Sequence, residues 1–510
     1  MTASEPSGAP TVLPDDGYNR ALVENVRPPT WTNPTPAGRY NLVVVGAGTA
    51  GLVAAAGAAG LGARVALVER RLMGGDCLNF GCVPSKAILR VAHVAALVRE
   101  APGYGVAVDG PLRVDFGAVM ARMRRLRAAL SPTDSASRFR GLGVDVYFGD
   151  ARFVGPDTVD VGGEHLRFSR AVVATGSRAA TLPVPGLAEA GFLTNETIFS
   201  LTDLPRRLLV VGAGPIGCEL AQAFRRLGSE VAIVSLDPRL LPREDPDAAA
   251  ILTSRFESEQ IALNLGARLV RVEAGPEEKV IVFDRGRGEE RAAGDVILLA
   301  VGRIPDVEGF GLEAADVRHE RAGVVVDDRL RTTNPRIYAA GDVCSGYKFT
   351  HAADAMARIV IENAFFFGRK TMSALVIPWC TYTEPEIAHV GWTEAEARQR
   401  GHDVATFTVP LEEVDRAVLE GGTEGFARLH LERRRGRILG ATLVARHAGE
   451  TIGEVVLAMT AGLGIDALGR TIHPYPTVAD ALRRTADAQR RTRLTPRVRR
   501  LFERYFRWRR

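Results

Sequence analysis

Short apolar runs and glycine-rich turns alternate along the chain in one order that occurs twice. Val43-Val44-Val45 is a continuous apolar run of the kind that forms a strand covered on both faces. It is followed by the turn Gly46-Ala47-Gly48-Thr49-Ala50-Gly51, an alanine-rich helix, and a second strand ending at Glu69. The order returns as a strand Leu208–Val211, the turn Gly212-Ala213-Gly214-Pro215-Ile216-Gly217, a helix Cys218–Leu227 and a strand Glu230–Ser235. Two strand–turn–helix–strand units predict two parallel α/β domains. Residues 376–486 open on a strand pattern and end in helical periodicity, which reads as a third, α+β domain. Residues 1–38 are rich in Pro, Asn and Thr and read as an extended arm.

The glycine spacing carries chemistry. In each turn the first glycine permits the bend. The second lets backbone approach a pyrophosphate, and the third lets helix and strand pack closely. Phosphates then rest on the helix N-terminus, where free N–H groups and the dipole favour anions. Gly46, Gly48 and Gly51, and again Gly212, Gly214 and Gly217, are therefore candidate dinucleotide contacts. The spacing from the first glycine to the end of the second strand is the same in both units, but Glu69 stands there in one and Ser235 in the other. An acid accepts from a ribose 2′-hydroxyl and repels a 2′-phosphate, so Glu69 suits an adenosine diphosphate such as that of FAD. Ser235, with Arg239 just beyond, favours NADPH, with NADH as the alternative.

A C-x4-C pair, Cys77 and Cys82, stands between the first unit and the next helix. Asn79 and Gly81 let the chain curl enough for two sulfurs to meet. Pro84 suits the first turn of a helix, whose N-terminus and nearby Lys86 would favour a thiolate at Cys82. A structural zinc site needs four ligands and finds no second close Cys/His pair. Two unrelated buried thiols is the plain alternative. Five cysteines in 510 residues are too few for a secreted disulfide scaffold, and Cys218, Cys344 and Cys380 read as core residues.

Composition is that of a globular protein, 46% apolar and 25% charged. The net charge is +5, but ten arginines against the single acid Glu503 crowd residues 488–510, leaving the rest mildly acidic. That argues against a general nucleic-acid surface. The start of the chain lacks a targeting pattern. The apolar stretch Asn41–Val68 is broken by glycines and by Arg64. A cytoplasmic protein is expected. The arginine-rich tail, with Phe502, Tyr505, Phe506 and Trp508 interleaved, is expected to form a terminal helix packed on the dimer. Contact with a membrane surface is the less favoured reading.

Taken together, the residues resemble the FAD-dependent pyridine nucleotide–disulfide oxidoreductases with a C-x4-C redox pair. The resemblance covers residues 40–486 and includes Ala174-Thr175-Gly176-Ser177, Ala300-Val301-Gly302-Arg303-Ile304-Pro305, Ile337-Tyr338-Ala339-Ala340-Gly341-Asp342 and Thr381-Tyr382-Thr383-Glu384-Pro385-Glu386. It implies two Rossmann-like dinucleotide-binding domains plus a C-terminal α+β dimerisation domain, hence a homodimer. The expected boundaries are 1–38 arm, 39–180 FAD-binding part, 181–302 NAD(P)-binding domain, 303–375 second FAD-binding part, 376–486 dimerisation domain and 487–510 basic tail. Cys82 would be the flavin-side thiol and Cys77 the outer thiol that meets the acceptor. Lys86 would lie near the flavin, paired with Glu219. Gly75, Gly149, Thr175, Gly176, Ser177, Gly302, Asp342 and His351 would complete the cofactor sites.

The departure lies near the C-terminus. Disulfide-reducing members carry H-x-H-P-T-x-x-E, where this chain has His473-Pro474-Tyr475-Pro476-Thr477-Val478-Ala479-Asp480. Tyr475 and Asp480 take the places of the catalytic His and its Glu, and a phenol is a poor base at neutral pH. Tyr at this position resembles the mercuric reductase branch, but no Cys follows Cys380 and none precedes Cys77. The implied activity is transfer of electrons from NAD(P)H through FAD and the Cys77–Cys82 disulfide to Hg(II) or another thiol-reactive acceptor. A dihydrolipoamide dehydrogenase, and a flavoprotein partner without disulfide chemistry, are the alternatives.

Overall fold

The structure is a computed structural model and describes residues 12–36, 38–275 and 278–510. It divides into two compact units, one running to Pro238 and again over Glu259–Leu375, the other comprising Arg239–Ser258 and Val376–Arg510.

The first unit holds both parallel sheets. In one, the strand Tyr40–Val45 lies between Val65–Glu69 and Glu164–Val173, with Val45 opposite Val68 on one side and Val173 on the other. Val144–Phe148 extends one edge, and the late strand Ile337–Ala339 returns to pair parallel with Glu164–Val173. Val43, Val44 and Val45 are buried, because helices cover a parallel sheet on both faces. The Thr49–Gly60 helix packs against Thr350–Phe365. Gly57 allows that approach: a Cβ there would lie 2.4 Å from the Ile361 Cδ1 atom. In the other sheet Arg207–Val211 lies between Glu230–Val234 and Val296–Leu299. A short antiparallel ribbon, Ser177–Ala179 with Arg303–Pro305, carries the chain out to the second sheet and back.

The second unit is built on a five-stranded antiparallel sheet in the order Pro378–Thr381, Glu386–Gly391, Ile438–Ala445, Phe426–Glu432, Val404–Pro410. The helices Ala448–Thr460 and Asp480–Thr492 close its core around Leu429, Leu443, Val455 and Leu482. Segment 239–258 joins this unit through polar contacts. Trp379 Nε1 donates to Glu244 at 2.6 Å, and the Arg428 guanidinium bridges Asp245 and Asp247 at 2.7 Å each. The whole is an α/β fold of two Rossmann-like units and a C-terminal α+β domain, as the sequence patterns imply.

The N-terminal arm departs from expectation. It is not extended throughout: Gly17–Val26 is a helix capped by Asp16, whose carboxylate accepts from Asn19 N–H at 2.8 Å. Leu22 and Val26, one turn apart, are buried, and Arg127 donates to Asn19 at 2.7 Å. A cap and an i, i+4 apolar pair outweigh the flanking prolines. Residues 1–11 of the arm lie outside the described residues. The helical run Gly75–Tyr104 has the length and apolar composition of a membrane span, yet Ile88, Leu89 and Ala92 on it are buried in the protein core.

Candidate redox site

The two glycine turns have nearly the same backbone. Gly46 and Gly212 have φ of +100° and +109°, and a Cβ on either would stand 2.4 Å from a carbonyl of the neighbouring crossover, Ala174 or Ala300. A Cβ on Gly51 would lie 1.8 Å from the Gly46 carbonyl oxygen, and one on Gly217 2.4 Å from that of Gly212. Gly48 and Gly214 lead into the helices Thr49–Gly60 and Pro215–Leu227, at ends with no side-chain cap. Their N–H groups are thus left for an anion.

The strand ends differ. Glu69 is buried, and burial pushes its carboxyl up, against the N–H groups of Ala47 and Arg71 that donate to it at 2.8 and 2.7 Å. It therefore also pins the first turn. Gly149 continues that strand edge, donating its N–H to the Glu69 carbonyl at 3.0 Å. Ser235 is buried beside a carboxylate that the sequence reading missed: its hydroxyl lies 3.4 Å from Asp237, whose N–H in turn donates to Ser235 Oγ at 3.2 Å. The Arg239 guanidinium donates to the carbonyls of Pro242 and Glu244 at 2.7 and 3.4 Å.

Only the first turn carries the cysteine loop. Gly75, at φ +55°, leans on Gly48: a Cβ on Gly75 would lie 2.7 Å from the Gly48 Cα. Cys77 sits in the short helix Gly75–Asn79, and Cys82 opens the long helix Cys82–Glu100 after Gly81. Asn79 holds the curl by donating to the carbonyls of Met73 and Gly75 at 3.0 and 2.9 Å. Both cysteines are free thiols, Cys82 the more exposed. Cys82 Sγ lies 3.5 Å from the hydroxyl of Thr350, which opens the helix Thr350–Phe365.

The two thiols ionise in opposite directions. The hydrogen bond from Cys77, then those from Thr350 and the charge of Lys86, bring Cys82 down to about 6, against burial and the Glu219 carboxylate. The same sulfur–sulfur hydrogen bond, together with burial, pushes Cys77 up. Lys86, one turn into the helix, is 2.8 Å from Glu219, which is 5% exposed on the helix Pro215–Leu227. The pairing of these two helices brings the second glycine unit to the cysteine pair.

Arg303 ties the remaining positions together. Its guanidinium donates to Ser177 Oγ and the Ser177 carbonyl at 2.8 and 2.6 Å, pairs with Asp76 next to Cys77, and lies 3.7 Å from Asp342. Ser177 in turn donates to Asp342 at 2.6 Å. Thr175 spends its hydroxyl on the Asp306 carbonyl at 2.6 Å, so it holds the crossover ribbon. Gly176 and Gly302 supply positive φ there, +74° and +110°. His351 is exposed and stacks on Phe349, with ring centroids 5.5 Å apart. Arg303 belongs to the motif Ala300–Pro305, and its role there is visible only in the fold. Thr350 precedes His351, a position the family resemblance implies.

Comparison with known proteins agrees with this arrangement. Residues 40–357 match the pyridine nucleotide-disulphide oxidoreductase family, and residues 377–486 match that family's dimerisation domain. The chain belongs to this family. The family is FAD-dependent and uses NAD(P)H, and its dimerisation domain indicates a homodimer. Among relatives, a mercuric reductase of Streptomyces lividans is 36% identical over 88% of this chain and 95% of its own. A dihydrolipoyl dehydrogenase of Thermus scotoductus is 35% identical over 88% and 97%. The HOCl-induced flavoprotein disulfide reductase RclA of Escherichia coli matches in structure with a TM-score of 0.78 at 28% identity, covering 88% of this chain and 99% of that one.

Within this flavoprotein disulfide oxidoreductase, the C-terminal positions form two separate sets. Tyr475 is 77% exposed and donates to Asp415 at 2.9 Å, a bond that pushes its phenol above the usual range. Asp480 does not touch Tyr475. Burial would raise its carboxyl, but Arg484 and Arg483 outweigh that and hold it low. Arg484 reaches both Asp480, at 2.6 Å, and Asp415, at 3.3 Å, and the Asp480 charge acts on the Tyr475 phenol without a hydrogen bond between them. His473 forms the other set: its Nε2 is 2.8 Å from Glu454, and its buried Nδ1 has no hydrogen-bond partner among the described residues. Neither Asp415 nor Glu454 belongs to a motif legible in the sequence.

Proposed function

We propose that the protein is an NAD(P)H-dependent reductase whose Cys77–Cys82 pair delivers electrons to a thiol-reactive metal ion, Hg(II) being the model acceptor. The observation that carries this reading is the chemistry of Tyr475. A phenol raised further by Asp415 takes up no proton at neutral pH, so the acceptor must be one that needs no base there. A soft metal ion binds thiolate directly.

FAD suits the first glycine unit: Gly46, Gly51 and Gly75 let the turn, its helix and the cysteine loop close on one another, leaving the uncapped helix end for a pyrophosphate, and Glu69 stands where an adenosine ribose would donate. Gly46, Gly48, Gly51, Glu69, Gly75, Ser177, Lys86 and Asp342 would hold it, with Gly149 and His351 at its margins. When bound, it supplies a two-electron relay between the nicotinamide and the disulfide. Gly212, Gly214 and Gly217 would take the pyrophosphate of the nicotinamide nucleotide.

The chain's own residues do the rest. The hydrogen bond from Cys77, with help from Thr350 and Lys86, keeps Cys82 as thiolate at neutral pH, while Cys77 retains its proton. Glu219 fixes the Lys86 ammonium. The pair then holds one thiol and one thiolate. Closing to the disulfide releases one proton and two electrons, the number that Hg(II) takes to become the metal. Ser235 admits a 2′-phosphate, but Asp237 brings back a carboxylate, so Asp237 is the residue that sets NADPH against NADH.

The test is a panel of Hg(II), lipoamide and glutathione disulfide assayed with NADPH and with NADH. Metal-dependent oxidation of the nucleotide that is lost in Cys77→Ser supports the reading, and turnover unchanged by that substitution sinks it. A second reading rests on His473. An imidazole paired with Glu454 is the kind of base that dithiol exchange requires, and would suit dihydrolipoamide oxidation. NAD⁺-dependent oxidation of dihydrolipoamide that is lost in His473→Gln would favour it.

A further inference from the structure

The helix Pro496–Arg509, capped by Thr495, is unlike every other α-helix among the described residues in burying no side chain. Its composition is nevertheless sorted, the terminal Arg509 excepted. At about 100° per residue, Val498, Leu501, Phe502, Tyr505, Phe506 and Trp508 share one side, and Arg500, Glu503, Arg504 and Arg507 centre the other. The aromatic rings pack on one another along that side: Phe502 and Phe506 are stacked at 6.3 Å, with Tyr505 at 5.5 Å from Phe506 and 6.1 Å from Trp508. A sequence that needed only to be soluble would not gather its apolar residues on one exposed face.

Charge selects the occupant of that face. From Arg490 onward the chain carries ten arginines and one acid, Glu503, which is taken up by Arg499 at 3.5 Å. A second copy of the helix would bring the same charge against it. A nucleic acid would satisfy the arginines and leave the aromatic face in water. A surface that is anionic at its rim and apolar just beneath satisfies both sides at once.

We propose that the Pro496–Arg509 helix docks the enzyme on an anionic lipid bilayer, lying in the interface plane with Leu501, Phe502, Phe506 and Trp508 inserted and the arginines at the headgroups. A homodimer presents two such helices, so the two contacts reinforce each other. The inference is independent of the acceptor, because none of the redox residues assigned above lies in this helix.

The test is co-sedimentation of the full-length flavoprotein with vesicles of phosphatidylcholine alone and of phosphatidylcholine with phosphatidylglycerol. The protein is expected to pellet with the anionic vesicles, to remain in solution with the neutral ones, and to be released by salt. Two full-length variants separate the faces: Phe502→Ser/Phe506→Ser/Trp508→Ser and Arg500→Gln/Arg504→Gln/Arg507→Gln. Each should lower vesicle affinity by about tenfold or more, with flavin absorbance and elution volume unchanged. Failure to pellet with anionic vesicles overturns the proposal, as does equal binding to neutral ones. Undiminished binding of the serine variant would also overturn it, since charge alone would then suffice, as for a nucleic acid. A smaller native mass for the serine variant would make the face a subunit contact and equally end the proposal. Should the serine variant lose its flavin, the glutamine variant and the parent protein still decide.

Discussion

The two glycine units of this chain share a backbone and differ in what is laid against it. Gly46 and Gly212 make the same bend under the same carbonyl contact, and Gly51 and Gly217 make the same close helix–strand approach. Only the first unit has a cysteine loop resting on it, through Gly75 against Gly48, and only the first ends its second strand in an acid that pins its own turn. The second contributes Glu219 to the cysteine helix instead. The comparison teaches that backbone form fixes where a dinucleotide can lie. Single side chains at the strand end and on the neighbouring helix are what distinguish the two units.

The largest effect should come from breaking one turn at a time. Gly51→Val is expected to abolish flavin retention and yield little folded protein, because its Cβ would overlap the Gly46 carbonyl. Gly217→Ala should keep the flavin yet raise the KM for the nicotinamide nucleotide roughly tenfold or more. Flavin absorbance and steady-state kinetics separate the two, and loss of flavin in both variants would dissolve the distinction between the units. Next, Cys77→Ser should keep the flavin spectrum and lower acceptor turnover on the order of 10³-fold, read in the metal and lipoamide assays.

The ionisation of Cys82 should show in alkylation. With Cys82 near 6, its thiolate is present above that pH and lost below it, so iodoacetamide reactivity of the reduced protein should fall as pH drops through about 6. Lys86→Met should move that midpoint up by roughly one pH unit, and no movement would remove Lys86 from the site's electrostatics. Asp237→Asn should improve NADPH over NADH by about tenfold, the equivalent of one surface charge contact. The smallest effect lies in the second unit. Burial raises Glu244 to about 7, partly opposed by its bond from Trp379. Its charged form is thus the costly one, and the folded state loses stability as pH rises from the ordinary carboxyl range through 7. Glu244→Gln should therefore raise Tm by roughly 2–4 °C above pH 7 and change little at pH 5, measured by thermal denaturation at both pH values.

Sequence reading reached the parts of the site that are local in the chain. The two glycine turns, the C-x4-C loop and the Lys86 position one turn into its helix each lie within a few residues, so spacing and turn chemistry reveal them. Glu219 came only through family resemblance, since nothing near it in sequence mentions Cys82. Thr350, which stands 268 residues from Cys82 in the chain, gave no such signal. Arg303 gave a motif but no role, because its partners Asp76, Ser177 and Asp342 come from three separate segments. At the C-terminus, the reading paired Tyr475 with Asp480 by spacing. Tyr475 hydrogen-bonds Asp415 and His473 pairs with Glu454, while Asp480 acts on the Tyr475 phenol through its charge.

The sequence by itself determined the α/β class, the duplicated nucleotide units, the redox pair and the amphipathic tail. Each follows from periodicity, steric need for glycine, or composition over a short stretch. The tertiary structure alone decided that Thr350 and Cys77 join Lys86 in lowering Cys82, that Asp237 sits beside Ser235, that the N-terminal arm folds into a helix, and that the tail helix buries nothing. Those outcomes depend on burial and on electrostatic contacts acting through space, and a linear spacing carries neither.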